Sequence, residues 1–162
     1  MFFSEIYESW REIQYEKYEE ILERIEKNDL SLGKLVLDLG SASGFLFDFL
    51  VEREVESEVV ALDIDLASLE KNPSDHLIIG DGNNLPFKSC VFDSLFCVDV
   101  AHLLDNLRFD CVKKNGTIIL ALPARHKEIF ESLVAENDHC QLIEKFEVNG
   151  REKELVALLK KL

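Results

Sequence analysis

The chain has 162 residues, enough for one domain with a sizeable core, and its 47% hydrophobic and 31% charged composition is that of an ordinary globular protein. A formal net charge of −14 disfavours a stand-alone nucleic-acid binder, whose affinity for phosphate rests on clustered Lys and Arg. No apolar run approaches the ~20 residues that span a bilayer. The start, MFFSEIYES, is acidic where a signal peptide would be basic and then apolar, so a cytoplasmic protein without membrane contact is expected.

Residues 2 to 28 carry Phe3, Ile6, Trp10, Ile13, Tyr18, Ile21 and Ile25 at steps mostly of three or four, which predicts one amphipathic helix or two. Two roles fit that stripe: a helix that packs on a sheet, or a lid whose Tyr7, Tyr15 or Tyr18 closes over a ligand. Aromatic stripes at helical spacing belong mostly to cores, which favours packing. Residues 1–30 are therefore read as a helical extension on a main domain of residues 31–162.

The central stretch is Lys34 to Phe49, KLVLDLGSASGFLFDF. Leu35-Val36-Leu37 reads as a strand, Gly40-Ser41-Ala42-Ser43-Gly44 as a tight turn, and residues 45 to 53 as a helix with Phe45, Leu46, Phe49 and Leu50 inward. Glycines at 40 and 44 let the backbone bend and approach a ligand, and a new helix offers its free N–H groups to the same space. Asp38, at the carboxyl end of the strand, stands where ligands bind in open α/β sheets.

Val59-Val60-Ala61-Leu62 is a second apolar strand, closed by Asp63. Asp63 lies 23 residues after Gly40, close to the ~20 at which an acid closing the second strand accepts hydrogen bonds from ribose hydroxyls. Asp65, before Leu66-Ala67-Ser68-Leu69, reads as a helix cap. His76-Leu77-Ile78-Ile79 is a third strand, followed by the polar turn Gly80-Asp81-Gly82-Asn83-Asn84-Leu85-Pro86-Phe87. Three successive strands thus deliver a carboxylate to one edge.

Val91 to Val98 is the fourth strand, Asp99 to Leu104 opens a helix, Lys113-Lys114-Asn115-Gly116 reads as a basic helix end with a glycine stop, and Thr117 to Leu122 is the fifth strand. Arg125 to Glu136 is helical, with Ile129, Phe130, Leu133 and Val134 on one side. Cys140 to Val148 and Leu155 to Leu159 form strands joined at Asn149-Gly150, a hairpin signal. A parallel βαβ series ending in an antiparallel hairpin follows. Cys90, Cys97, Cys111 and Cys140 form no CxxC pair, so buried free thiols are expected rather than disulfides or a metal site.

With these motifs in place, the chain resembles the class I S-adenosylmethionine-dependent methyltransferases. The likeness is carried by Val36 to Gly44, Ala61-Leu62-Asp63-Ile64-Asp65, Gly80 to Phe87, Phe92-Asp93 and Lys113 to Thr117, in the family's order and spacing, across roughly residues 34 to 162. It implies a Rossmann-like, doubly wound, mostly parallel seven-stranded α/β sheet with an antiparallel C-terminal hairpin and helices on both faces. It implies S-adenosylmethionine as cofactor. Gly40, Ser41, Ala42 and Gly44 would line its methionine and ribose part, with Asp38 near the amino group. Asp63, with Ile64 beside it, would hold the ribose, and Asp81 with Gly82 or Asn83 would read the adenine edge. Cys97, Val98 and Asp99 would border the methyl-transfer site. Ala42 departs from the family's pattern, standing where a middle glycine is usual.

Asp99 and His102 are the general-base candidates, although an activated sulfonium methyl group needs alignment more than a base. An NPPY-type tetrapeptide, which the resemblance associates with amide, adenine or guanine nitrogens, is replaced by Val98-Asp99-Val100-Ala101. The expected acceptor is a small molecule or a protein, and nucleic acid would need a basic partner. A homodimer or a small activating subunit is compatible with an exposed helix face or strand edge. Two rival readings fit the residues less well. A nicotinamide dehydrogenase would want glycines at 40, 42 and 45, where this chain has Gly40, Ala42 and Phe45. A non-catalytic binding subunit would not need Asp38, Asp63 and Asp81 together.

Overall fold

Five strands lie side by side and parallel, and the inner ones are apolar runs buried on both faces at their centres. A computed structural model describes residues 2–162, with side chains from residue 9 onward. The strands are β1 (Leu35–Leu39), β2 (Glu58–Asp63), β3 (His76–Ile79), β4 (Phe92–Val98), β5 (Val112–Pro123), β6 (Cys140–Asn149) and β7 (Lys153–Lys161). They form one sheet in the order β3-β2-β1-β4-β5-β7-β6. Only β7 runs against the others, paired antiparallel to both β5 and β6. Strand order reverses between β1 and β4, so the carboxyl ends of these two neighbours mark the switch point.

The helices are α1 (Phe2–Lys27), α2 (Phe45–Glu52), α3 (Leu66–Leu69) and α4 (Lys127–Ala135). One sheet face carries α1 and α2. Tyr18, Ile21 and Ile25 of α1 and Leu46, Phe49 and Leu50 of α2 share a core with Val36, Val59, Phe96, Ile119 and Val156. Tyr15 and Tyr18 pack their rings against Phe49 at 5.2 and 5.5 Å, a packing role rather than a lid. Tyr7, with Phe3 and Ile6, lies outside the described side chains. Trp10 departs from the expected stripe: it is 53% exposed, because the helix face that meets the sheet is set by Tyr18, Ile21 and Ile25. Among the described residues no helix is long and apolar enough to cross a membrane.

The other face is covered differently. Phe130 of α4 joins Leu37, Leu95, Ile118 and Leu120, while the rest is closed by loop residues such as Leu85, Phe87, Phe109 and Cys111. The helix expected from Asp99 is a single 3-10 turn, Ala101–Leu103. Asn83 Oδ1 takes the amides of Asp105 and Asn106 at 2.7 and 3.0 Å, ending that turn in a loop. Lys113 to Gly116 is not a helix end but part of β5, where the pairing with β4 skips from Phe92↔Val112 to Ser94↔Thr117. Asn115 has a φ of 67° at this irregularity, and a Cβ on Gly116 would stand 2.6 Å from Val112 Cγ1. Two further expectations fail at the surface: Cys90 is exposed, and Ile129 turns outward from α4. All four cysteines are free.

Candidate functional site

The turn after β1 is shaped by contacts that glycine alone allows. Gly40 has a φ of 75°, and a Cβ there would collide with Val100 at 2.8 Å. Its amide and that of Ser41 donate to Leu62 O at 2.8 and 3.1 Å, which ties the turn to the end of β2. Gly44, with a φ of 90°, packs instead on Asn72 and Pro73, where a Cβ would lie 2.6 Å from Asn72 Oδ1. Asn72 Nδ2 donates to Ser41 Oγ and Ala42 O. Ser41 and Gly44 are therefore buried in the turn's scaffold, while Ala42, with a φ of 46°, is exposed.

Asp63 closes β2 and holds the same turn. Its Oδ2 accepts from Ala42 N at 2.8 Å and its Oδ1 from Asp65 N at 2.9 Å, leaving each oxygen a free lone pair. Asp65 caps α3 as expected, accepting from Ser68 N. After β3, Asp81 Oδ1 accepts from Asn83 N in a tight Asx turn. Gly82 lets Leu104 and Leu39 close in, since a Cβ would meet Leu104 at 2.9 Å.

These loops enclose a cavity of about 380 Å³ at the carboxyl ends of β1, β2 and β4. Seven of the residues singled out from the sequence line it: Gly40, Asp63, Ile64, Asp81, Gly82, Asn83 and Asp99. Ile64 is 72% exposed there, an apolar side chain with no core to enter. Val100, Leu103 and Leu104 supply an apolar wall that the sequence reading assigned to a helix. The run of apolar residues after Asp99 carries their signal, but its backbone makes a single 3-10 turn. Another cavity of about 200 Å³ lies next to it, beyond Gly82 and Asn83, between Phe87 and Arg108.

The remaining candidates lie around the cavity rather than in its wall. Cys97 is fully buried in the sheet's core, and burial with Asp38 and Asp99 nearby drives its thiol far above the ordinary range. Val98 packs on the α1 side of the sheet. His102 stacks on His126 with ring centroids 4.2 Å apart; burial, His126 and Arg125 together lower its pKa. Asp38 is 5% exposed, no hydrogen bond from a described residue reaches its side chain, and burial with Asp63 nearby pushes its carboxyl up to about 7. An acid so placed lacks its counter-group.

Asp99 has a φ of 60°, a backbone state that Asp and Asn tolerate better than bulkier residues. Its Oδ2 accepts from Lys17 Nζ at 2.7 Å and Gln14 Nε2 at 3.3 Å. Lys17 also pairs with Glu154 on β7 at 2.6 Å. None of Gln14, Lys17 and Glu154 stood out in the sequence, because each is a charged or polar residue among many on an amphipathic helix or strand. Among the described residues no cluster of His, Cys, Asp and Glu could hold a metal ion.

Residues 37–119, just over half of the chain, match the sequence profile of a family described as a methyltransferase domain. The chain belongs to the class I S-adenosylmethionine-dependent methyltransferases. No protein of curated function matches it. Among solved structures, it is similar to a SAM-dependent methyltransferase from Aquifex aeolicus, with a TM-score of 0.69, 15% identity, and 86% of this chain and 88% of that one covered. An S-adenosylmethionine-dependent methyltransferase from Clostridium acetobutylicum gives a TM-score of 0.63 at 14% identity, over 96% and 92% of the two chains. A putative methyltransferase from Haloferax volcanii, in complex with the Trm112 methyltransferase activator, gives 0.65 at 13% identity, over 80% and 83%. At these identities the likeness is one of fold.

The cofactor of this methyltransferase family is S-adenosylmethionine, and the residues present fit it. Gly40 lines the cavity, Asp63 retains acceptor capacity for hydroxyls, and Asp38 is a buried acid with no hydrogen-bond partner among the described residues.

Proposed function

We propose that the chain is an active methyltransferase that passes the sulfonium methyl group of S-adenosylmethionine to a small-molecule or protein acceptor. The observation that carries this reading is convergence: Gly40, Asp63, Asp81 and Asp99, from four strand ends, line one cavity at the switch point. When bound, the cofactor supplies an electrophilic methyl carbon that needs no covalent catalysis by the protein. Asp63 would accept from the ribose hydroxyls, and Asp38 would meet the amino group that its burial leaves it wanting. Asp81, with the Gly82 and Asn83 backbone and the exposed Ile64, would take the adenine. Ser41, Ala42 and Gly44 would shape the turn beneath the methionine part. Cys97 and Val98 would back the transfer end, where Asp99 and His102 are the candidates for proton transfer. Val100, Leu103 and Leu104 would exclude water from that end.

The net charge of −14 argues for an acceptor other than free nucleic acid. A second reading, in which the chain needs a small activating subunit, draws on the likeness to the Haloferax volcanii protein and on the edge strand β3, whose Leu77 and Ile79 are about half exposed. Calorimetric titration with S-adenosylmethionine and S-adenosylhomocysteine tests the main reading. Micromolar binding is expected, with Asp63→Ala weakening it at least tenfold, or about 1.4 kcal/mol. Absence of binding by the isolated chain, restored by a co-purified subunit, would favour the second reading.

A further inference from the structure

Behind Asp99 lies a polar cluster to which the cofactor roles assign nothing. Lys17 is 1% exposed, and its single ammonium bridges Asp99 Oδ2 and Glu154 Oε1. The other oxygens of that group, Asp99 Oδ1, Glu154 Oε2 and Gln14 Oε1, are buried without a hydrogen-bond partner among the described residues, as is His102 Nδ1. Glu154 is itself only 8% exposed. Tyr18 from α1, Asp38 from β1, His102 from the 3-10 turn, and Arg125 and His126 after β5 face the cluster. Arg125 is engaged by Glu152, and burial with His126 and Arg125 nearby lowers the His102 pKa. One ammonium thus serves two carboxyl groups, and their unpaired oxygens can only accept hydrogen bonds while those groups are ionised.

Such surroundings select by charge. An acceptor that reacts as an anion, whether phenolate, carboxylate or phosphate, would be brought against carboxylates in a poorly solvated site. A neutral amine donates hydrogen bonds on arrival and turns cationic as it reacts, so the same carboxylates stabilise it most where its charge develops. Resting on the methyltransferase reading, we propose that the acceptor atom is an aliphatic amine nitrogen, and that Lys17 and Glu154 are positioning residues that hold Asp99 to accept its N–H hydrogen bond and stabilise its developing charge. The nitrogen lone pair forms the N–C bond while the C–S bond breaks and its electron pair stays on sulfur. The nitrogen, now carrying the positive charge, keeps an N–H hydrogen bond to the Asp99 carboxylate and loses one proton to water. The products are the N-methylamine, S-adenosylhomocysteine and a proton.

The test needs no knowledge of the acceptor. Sinefungin carries a primary ammonium where S-adenosylmethionine carries its sulfonium methyl, so it places an amine at the transfer position. Calorimetry at pH 8 compares its affinity with that of neutral S-adenosylhomocysteine. The expected result is sinefungin roughly tenfold tighter in the wild type, falling to within about twofold of equality in Asp99→Asn, with S-adenosylhomocysteine affinity moved less than about threefold. Asn suits the φ of 60°, so the fold survives that change. Glu154→Gln, which keeps the shape and removes a charge, is expected to give an intermediate ratio. Equal affinities in the wild type, or an undiminished preference in Asp99→Asn, would overturn the proposal while leaving the cofactor site intact. Failure of both ligands to bind would remove the reading of the isolated chain as an active methyltransferase, and the proposal with it. In labelled-methyl transfer to mixed amines, phenols and carboxylic acids, label on nitrogen supports the proposal and label on oxygen sinks it.

Discussion

The two ends of the sheet treat their polar groups in opposite ways. At the amino end of the strands the polar side chains that tie neighbouring segments together are paired. Asp93 Oδ2 accepts from Lys34 N and Leu35 N at 3.0 and 2.9 Å, and its Oδ1 from Lys113 at 2.8 Å. Ser94 donates to Leu32 O and Thr117 to Ser31 O, both at 2.8 Å, and Ser57 to Gly33 O at 2.7 Å. At the carboxyl end, among the described residues, Asp38 has no hydrogen-bond partner, Asp99 and Glu154 share one lysine, and four buried polar atoms stay unpaired. Buried polar groups are normally satisfied. The satisfied end is a clamp that builds the fold, and the unsatisfied end is the one that waits for a ligand.

The pKa directions follow the same division. Lys113, with the Leu35 and Lys34 amides, holds the Asp93 carboxyl below its usual range. Burial, opposed by Lys17 and reinforced by Asp99, pushes Glu154 up to about 7. The largest effect that would break the comparison is expected at the clamp. Asp93→Ala removes two backbone partners in one step, while the half-exposed Lys113 adds little. The expected loss is about 3 kcal/mol, read by urea unfolding near pH 7. A folded-state pKa below the unfolded one means the stabilisation is present above about pH 4 and fades as pH falls further, so the gap between the two proteins should close in acid. Cofactor affinity of the folded fraction should not move. A variant that unfolds like the wild type but binds cofactor tenfold more weakly would place a site role at the wrong end.

The sequence made one of these ends legible and mostly concealed the other. Asp38, Asp63 and Asp81 were readable because each follows an apolar strand, and strand ends on one edge are adjacent whatever the loops do. Asp93 was visible only as a member of the motif Phe92-Asp93, and its work is structural: a Cβ on Gly33 would lie 2.3 Å from Asp93 Cβ, so the chain before β1 folds directly over it. Lys17 and Glu154 are 137 residues apart and meet only because β7 inserts beside β5 under α1. Nothing local marks such a pair. The loop from Asp99 to Cys111 failed for a different reason. Its apolar residues suggested a helix, but Asn83 captures the Asp105 and Asn106 amides from another loop, a tertiary contact that outweighs propensity.

A smaller and opposite effect is expected at Asp38. Its carboxyl ionises near 3.8 in an unfolded chain and about 7 in the fold, so the folded protein holds the extra proton between those values. Stability therefore declines as pH rises through that window, and the whole cost is present at pH 8. A shift of that size corresponds to at most about 4 kcal/mol. Asp38→Asn removes the charge but buries an amide with no more partners than the acid had, which costs about 1–3 kcal/mol. The net expectation is a variant about 1–2 kcal/mol more stable than the wild type at pH 8, with the advantage gone by pH 5, where the wild-type acid is protonated. Cofactor binding should weaken at both pH values. Thermal unfolding at pH 5 and pH 8, with and without S-adenosylhomocysteine, reads all of this at once. A variant that is less stable at pH 8 and binds cofactor normally would show that Asp38 belongs with Asp93, to the fold rather than to the site.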